Sequence, residues 1–456
     1  MIFIRFAIFS FVSYSALHAT WFDNIPRKVM QPDGQEIECF VTGDQYARRL
    51  HDENDYTIIM KPEDGYYYYA DNDSSGDLVP TELKVGYDEP WSVGLVPGKS
   101  YSQDIYNRKK ATHEQYSDNH SRDAPSYGVI NQINIFIRFA DDPDFPSPRS
   151  YYDAVFQTEE DEPSLKHYFN EISYNNLTIN TYHYPRTSND VNISYVDNRN
   201  RSYYQPYSNA NPEGYFENQR ADREHELLKN AVEAISPIVG PGDPWIDVDS
   251  DNDGFVDAVS FVIYGSPGDW ADLLWPHRWV LFSDEVNING SRVYDYLFML
   301  SESWYFNVGV LCHEFGHVLG APDYYHYDGG GAPSAVGSWD VMESTSNPPQ
   351  YMGAFMKWKY GDWVDMQEVT VGGTYTLNPL QEQENVLYKI ASPNSDSEYF
   401  VVEYRKREGI YESNLPGSRS GMLVYRINPE AGDGNASGPP DEVYLYRPNG
   451  TLTNNG

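Results

Sequence analysis

Hydrophobic spacing divides the chain into three stretches. From about residue 20 to 120, strand-like runs such as Glu36 to Thr42 and Tyr56 to Met60 alternate with turn signals at Asp33-Gly34 and Asp64-Gly65, which predicts a small β-rich unit. It ends in a polar segment running through Arg108-Lys109-Lys110 to Pro125, with the composition of an exposed linker open to nicking. From about 127 to 364 the spacing is mixed. Ile133, Ile135, Ile137 and Phe139 alternate as on one face of a strand. Glu213 to Ile235 reads as a helix, with Leu227, Leu228, Ala231, Val232 and Ile235 on its apolar side and Pro237 closing it. Ala258 to Tyr264 is a second strand, and Asn307 to Leu319 a buried helix stopped by Gly320. From about 365 to 456 the pattern reverts to short strands at Val369 to Leu377, Val386 to Ile390, Tyr399 to Tyr404, Met422 to Ile427 and Glu442 to Tyr446. Turns at Gly372-Gly373 and Pro416-Gly417 separate them, which predicts a β-sandwich-like domain.

The buried helix carries the most informative chemistry. Cys312-His313-Glu314-Phe315-Gly316-His317 continues through Val318-Leu319-Gly320-Ala321-Pro322-Asp323, a His-Glu-x-x-His-x-x-Gly-x-x-Asp array. Positions i and i+4 of a helix share one face, so His313 and His317 can present imidazoles to one ion while Glu314 faces the attacking water. A bare His-Glu-x-x-His also arises by chance, with both histidines merely packed. Asp323, three residues past the turn glycine, supplies a third ligand and leaves a fourth position open, the arrangement of a catalytic zinc site. A further marker follows at Gly337-Ser338-Trp339-Asp340-Val341-Met342-Glu343.

These segments resemble the metzincin clan, and most closely the immune inhibitor A family of secreted bacterial metalloproteases. Ile133 to Phe139, Ser164 to Phe169 with Ser173-Tyr174, Trp275 to Trp279 and Val443 to Pro448 extend the likeness over most of the chain. The resemblance implies an α+β metzincin-like zinc protease domain, flanked by an N-terminal β-rich pro-domain and a C-terminal β-sandwich-like domain. It makes Met342 the hydrophobic floor beneath the metal, a place suited to an unreactive thioether. A thermolysin-type site would instead take its third ligand from a downstream glutamate such as Glu343. A non-enzymatic adhesin or carbohydrate-binding protein on a protease-derived scaffold would be expected to have lost Glu314 or a ligand. Cys312 beside the first histidine and the basic, aromatic run Met356 to Tyr360 depart from the family pattern.

A second constellation, Asp247 to Asp257, contains Asp-x-Asp-x-Asp-Gly, the front half of a calcium loop. Asp249, Asp251, Asp253 and Asp257, with the backbone of Phe255, are its candidate ligands; Asp257 would close a shortened loop in place of the usual glutamate. The competing reading is a solvated acidic turn. Among lesser signals, His277 could line the substrate cleft or help bind a metal, against the competing reading of a hydrogen-bonded structural histidine, and Tyr324, His326 and Tyr351 are candidates to stabilise the oxyanion.

Charge and leader fix the expected setting. Residues 1–19 have a basic start, a short apolar run and a small cleavage residue, Ala19, as in a secretory signal, and no later run could span a membrane. Sixty-eight acidic against 32 basic residues give a formal charge of −36, which repels nucleic acid and anionic lipid. Two cysteines, Cys39 and Cys312, exclude a disulfide-dense scaffold and read as separate thiols. The expectation is a secreted, extracellular, monomeric zinc endopeptidase with structural calcium, made as a precursor and acting on protein or peptide substrates.

Overall fold

The computed structural model of the chain describes residues 22–44, 46–114, 124–158, 162–239, 246–267, 273–302, 304–327 and 332–451. The expected signal at 1–19 and the expected linker residues 115–123 lie outside the described residues. The first unit is a six-stranded antiparallel sheet in chain order: β1 (Phe22–Met30), β2 (Glu36–Gly43), β3 (Arg48–His51), β4 (Thr57–Met60), β5 (Tyr67–Asn72) and β6 (Leu78–Lys84). Asp33-Gly34 and Asp64-Gly65 turn where the sequence places them, each glycine at positive φ.

Helix α1 (Gln103–Glu114) follows, and it corrects one expectation. Arg108-Lys109-Lys110 lie on this helix and not in an exposed linker. Composition hides the reason, which is tertiary: among its residues with described burial Ile105 and Tyr106 are the buried ones, and Tyr106 packs with Ala47, Tyr325 and Tyr327. The lysines lay their stems along that contact, with Lys110 Nζ 4.6 Å from the Tyr327 ring centre.

The central unit runs β7 (Gly128–Arg138), α2 (Arg149–Gln157), α3 (Leu165–Ile172), β8 (Leu177–Tyr184), β9 (Tyr195–Val196), α4 (Arg220–Ile235), β10 (Val259–Ile263), β11 (His277–Val280), β12 (Val286–Ile288), β13 (Ser291–Val293), β14 (Asp295–Leu300) and α5 (Val308–Val318). Its main sheet has the order β11-β14-β10-β7-β8. The pairs β8·β7, β7·β10 and β10·β14 are parallel, whereas edge strand β11 is antiparallel to β14. Both faces are covered, as a largely parallel sheet requires. Ile133, Ile135, Ile137 and Phe139 join the cluster that includes α4. Phe136 points the other way, into the cluster built by α2, α3 and α5. The fourth helix begins at Arg220, later than the expected Glu213. Gly214 and Tyr215 are held in a turn by the backbone bonds Gly214 N to Asn211 O and Tyr215 N to Gln205 O.

After α6 (Ala354–Lys359) come β15 (Gln367–Glu368), β16 (Tyr388–Ala391), β17 (Tyr399–Arg405), α7 (Gly409–Glu412), β18 (Gly421–Ile427) and β19 (Val443–Leu445). The strands form one five-stranded sheet in chain order, in place of the expected sandwich. No second sheet is needed, because Val401, Tyr425, Ile427, Val443 and Leu445 bury against the cluster that contains α5. The strand expected over Val369 to Leu377 stops at a final ladder bond from Val369 N to Lys389 O, and the chain then enters Gly372-Gly373 fully exposed.

Candidate active site

Helix α5 is set at both ends by local sequence. Asn307 caps its start, accepting a hydrogen bond from Val310 N at 3.1 Å. At its end Gly320 takes φ 84°, and Gly320 N to His317 O with Ala321 N to Gly316 O close a Schellman turn. That turn also orients a candidate ligand: the Ala321 carbonyl it brings round accepts from His317 Nδ1 at 2.8 Å. His313 Nδ1 donates likewise to Val341 O at 2.9 Å, from the turn before Met342.

With both Nδ1 atoms donating to carbonyls, each Nε2 carries a lone pair, and the two lone pairs converge. His313 Nε2 and His317 Nε2 lie 3.1 Å apart, and Asp323 Oδ1 lies 3.1 Å from the first and 3.4 Å from the second. Three acceptors this close repel unless a cation sits among them. A tetrahedral zinc with bonds of about 2.0 to 2.1 Å separates its ligand atoms by about 3.3 Å, so the triangle has the right size. Burial alone would raise the Asp323 pKa; positive charge on the two imidazoles when they are protonated, standing where a cation would sit, outweighs it and holds this carboxyl well below the usual range.

Glu314 is fully buried, and neither carboxylate oxygen has a hydrogen-bond partner. Burial pushes its pKa up to about 8, opposed by His313 and assisted by Asp323. Without a metal this carboxyl holds its proton at neutral pH; a cation held by the three converging atoms would release it and leave a dry, unpaired acceptor placed to take a proton. Met342 lies beneath, fully buried: a Cβ on Gly316 would come within 2.6 Å of its sulfur, so the helix is glycine where the thioether packs.

The N-terminal unit reaches this site, through contacts that carry no short sequence signature. The Tyr327 hydroxyl donates to Asp323 Oδ2, fixing the carboxylate from the side away from the histidines. Tyr327 in turn packs against Tyr46, with ring centres 5.1 Å apart, and against Tyr106 at 5.9 Å. Tyr106 donates to Asp44 Oδ2 at 2.6 Å, and Asp44 also accepts from the backbone of Tyr46 and Ala47. Burial pushes the Asp44 pKa up to about 7 against these bonds, with the charge of Asp323 adding to the rise.

In the acidic loop, carboxylate oxygens of Asp249, Asp251 and Asp257 lie within 4.8 Å of one another. Asp253 is outside that group; its Oδ1 accepts from Phe255 N at 2.8 Å. Asn252 and Gly254 turn the loop at positive φ. Burial, opposed by Ser250 and reinforced by Asp251 and Asp249, raises the Asp257 pKa to about 6.

Other candidates fall elsewhere. Glu343 accepts from Ser334 and does not join the His313, His317, Asp323 group. Tyr351 donates to Glu171 and His326 pairs with Asp441 at 2.6 Å. Tyr324 is buried near Asp340 and Glu442. His277 is structural, bonded to the Trp275 carbonyl and to Glu224. Cys39 and Cys312 are buried and form no disulfide.

Parts of this chain are similar to known proteins. Residues 251–375 match the family model described as Immune inhibitor A peptidase M6, catalytic domain. Immune inhibitor A of Bacillus thuringiensis subsp. alesti is 29% identical over 26% of this chain and 21% of its own length. Pre-pro-metalloprotease PrtV of Vibrio cholerae serotype O1 (strain M66-2) is 24% identical over 49% of this chain and 28% of its own length. The match thus spans under a third of each of these relatives. Residues 251–375, the segment that holds the three converging candidate ligand atoms, are thus similar to the catalytic domain of the immune inhibitor A family of metallopeptidases.

Proposed function

We propose that this chain is a secreted, zinc-dependent endopeptidase made as a precursor. The observation that carries the proposal is the triangle of His313 Nε2, His317 Nε2 and Asp323 Oδ1 beside the unpaired carboxylate of Glu314. His313, His317 and Asp323 would hold the zinc, and Met342 would floor the site. When bound, zinc supplies Lewis acidity, polarising the scissile carbonyl and easing deprotonation of water. Glu314 takes the proton from the attacking water and returns it to the leaving amine. Val341 O and Ala321 O keep the imidazoles turned toward the metal throughout. Glu314→Ala tests the mechanism: zinc content should stay, while casein hydrolysis falls by about 10²- to 10⁴-fold. Activity within a few-fold of the unsubstituted chain sinks it.

The precursor reading is supported by the N-terminal unit packed on Tyr327 through Tyr46 and Tyr106, with His313 and Glu314 fully buried. Release would need a cut after α1, in the stretch 115–123. Calcium in the Asp249, Asp251, Asp257 cluster would offset repulsion among these carboxylates and hold the loop that precedes β10. Secretion rests on residues 1–19; among the described residues no helix is long and apolar enough to cross a membrane. Protein substrates follow from the family, and a monomer is the simplest state to propose.

A further inference from the structure

A buried polar network outside the candidate metal ligands is centred past the matched segment, on the C-terminal sheet. Arg405 of β17 is fully buried, and each of its three guanidinium nitrogens donates a hydrogen bond. Nε and Nη2 donate to the two oxygens of Glu412 at 2.7 and 2.6 Å, a bidentate fork. Nη1 donates to Glu403 Oε1 at 3.2 Å and to the Trp339 carbonyl at 2.6 Å. The last bond enters the turn that ends at Met342. Asp340 then braces the same turn, accepting from Met342 N at 2.8 Å and Gly353 N at 2.7 Å. Glu403 and Glu412 accept from Ala354 N and Tyr351 N, fixing the chain that leaves the turn. Inside the braced turn is Val341, whose carbonyl holds His313 Nδ1.

We infer that Arg405, clamped by Glu403 and Glu412, is a positioning residue for the metal site, setting the turn whose Val341 carbonyl aims His313. The strands that follow residue 375 are therefore part of the metal-binding apparatus and not an appended module. Arginine fits the role because one planar fork can bind a carboxylate in two places and still reach a carbonyl; lysine has a single head and cannot. The inference rests on the zinc reading above.

The test uses the full chain, zinc affinity by chelator competition, and the visible d–d spectrum of the cobalt-substituted protein, all well below the melting temperature. Arg405→Met and Arg405→Lys should each weaken zinc by about tenfold or more, the scale of lost outer-shell partners, and shift the cobalt bands. Glu412→Gln, nearly isosteric, should move both in the same direction by less. Val29→Ala, in the N-terminal core, should lower the melting temperature and leave both metal readouts alone. If Arg405→Met does not fold, Arg405→Lys and Glu412→Gln decide the matter. Unchanged zinc affinity and cobalt spectrum in these folded variants would make the network a core ion pair only and overturn the inference. If the unsubstituted chain binds no zinc that His313→Ala abolishes, the zinc reading fails instead.

Discussion

At the scale of single residues, the site depends on atoms with no alternative partner. Glu314 has no donor to satisfy either oxygen, so Glu314→Gln should leave the fold and the zinc in place and remove the proton acceptor. Equal zinc stoichiometry with hydrolysis lowered by about 10²-fold or more is the expected pair of results. Gly309, one turn before His313, makes a second prediction. A glycine-to-alanine change inside a helix normally stabilises by about 1 kcal/mol. Here the new Cβ would collide with the backbone carbonyl of Ser346, which cannot swing aside. Gly309→Ala should therefore destabilise by about 1 to 3 kcal/mol, read as a lower thermal midpoint. The candidate ligands were legible in the sequence because their geometry is local, three side chains on one helix and its exit turn. The Val341 carbonyl that aims His313 was not, since it arrives from a distant turn and any residue supplies a carbonyl. Asp44 and Tyr327 were equally hidden, for a single acid and a single tyrosine far apart in the chain carry no pattern.

At the scale of elements, α6 resolves the basic run at Met356 to Tyr360. Lys359 pairs with Glu442 and Asp433, while Lys357 is fully buried, with Nζ 3.2 Å from the Tyr174 hydroxyl. Burial pulls the Lys357 pKa down to about 7, against the pull of Glu412, Glu403 and Glu171 and with the help of Arg405. The unfolded chain keeps this proton up to the ordinary value of 10.5. Between those limits the unfolded state binds more protons, so the lysine's contribution to stability rises with pH and is least favourable below pH 7. Lys357→Met should raise the melting temperature at pH 6 more than at pH 9. A difference that does not change between the two would show that the buried amine stays charged. Elements with their own periodicity, β10, α5 and β16 to β19, were read close to their true bounds, whereas β7 begins at Gly128, five residues before the alternation that marked it. Helix α1 and the start of α4 were misread because packing and turn bonds decide them, and the strand over Val369 to Leu377 because its apolar residues find no ladder beyond Val369.

At the scale of the whole molecule, three parts of the chain meet around the candidate metal site. The N-terminal sheet and α1 lean on Tyr327, the central sheet carries α5, and the C-terminal sheet braces the Met342 turn. A chain cut within 115–123 should hydrolyse a short quenched peptide far faster than the uncut chain; full activity before cutting would make the first unit an accessory. Calcium should raise the melting temperature of the unsubstituted chain, by about 2.7 kcal/mol of stability at a hundred times its dissociation constant. Asp249→Asn with Asp251→Asn should abolish that response without changing zinc content. The most direct test of the central claim is diffraction from zinc-loaded crystals on either side of the zinc absorption edge. One anomalous peak should lie about 2.0 to 2.2 Å from His313 Nε2, His317 Nε2 and an Asp323 oxygen, with Met342 below it and Glu343 unligated. A peak bound by Glu343 with Asp323 turned away, or no peak among the three residues, would contradict the account.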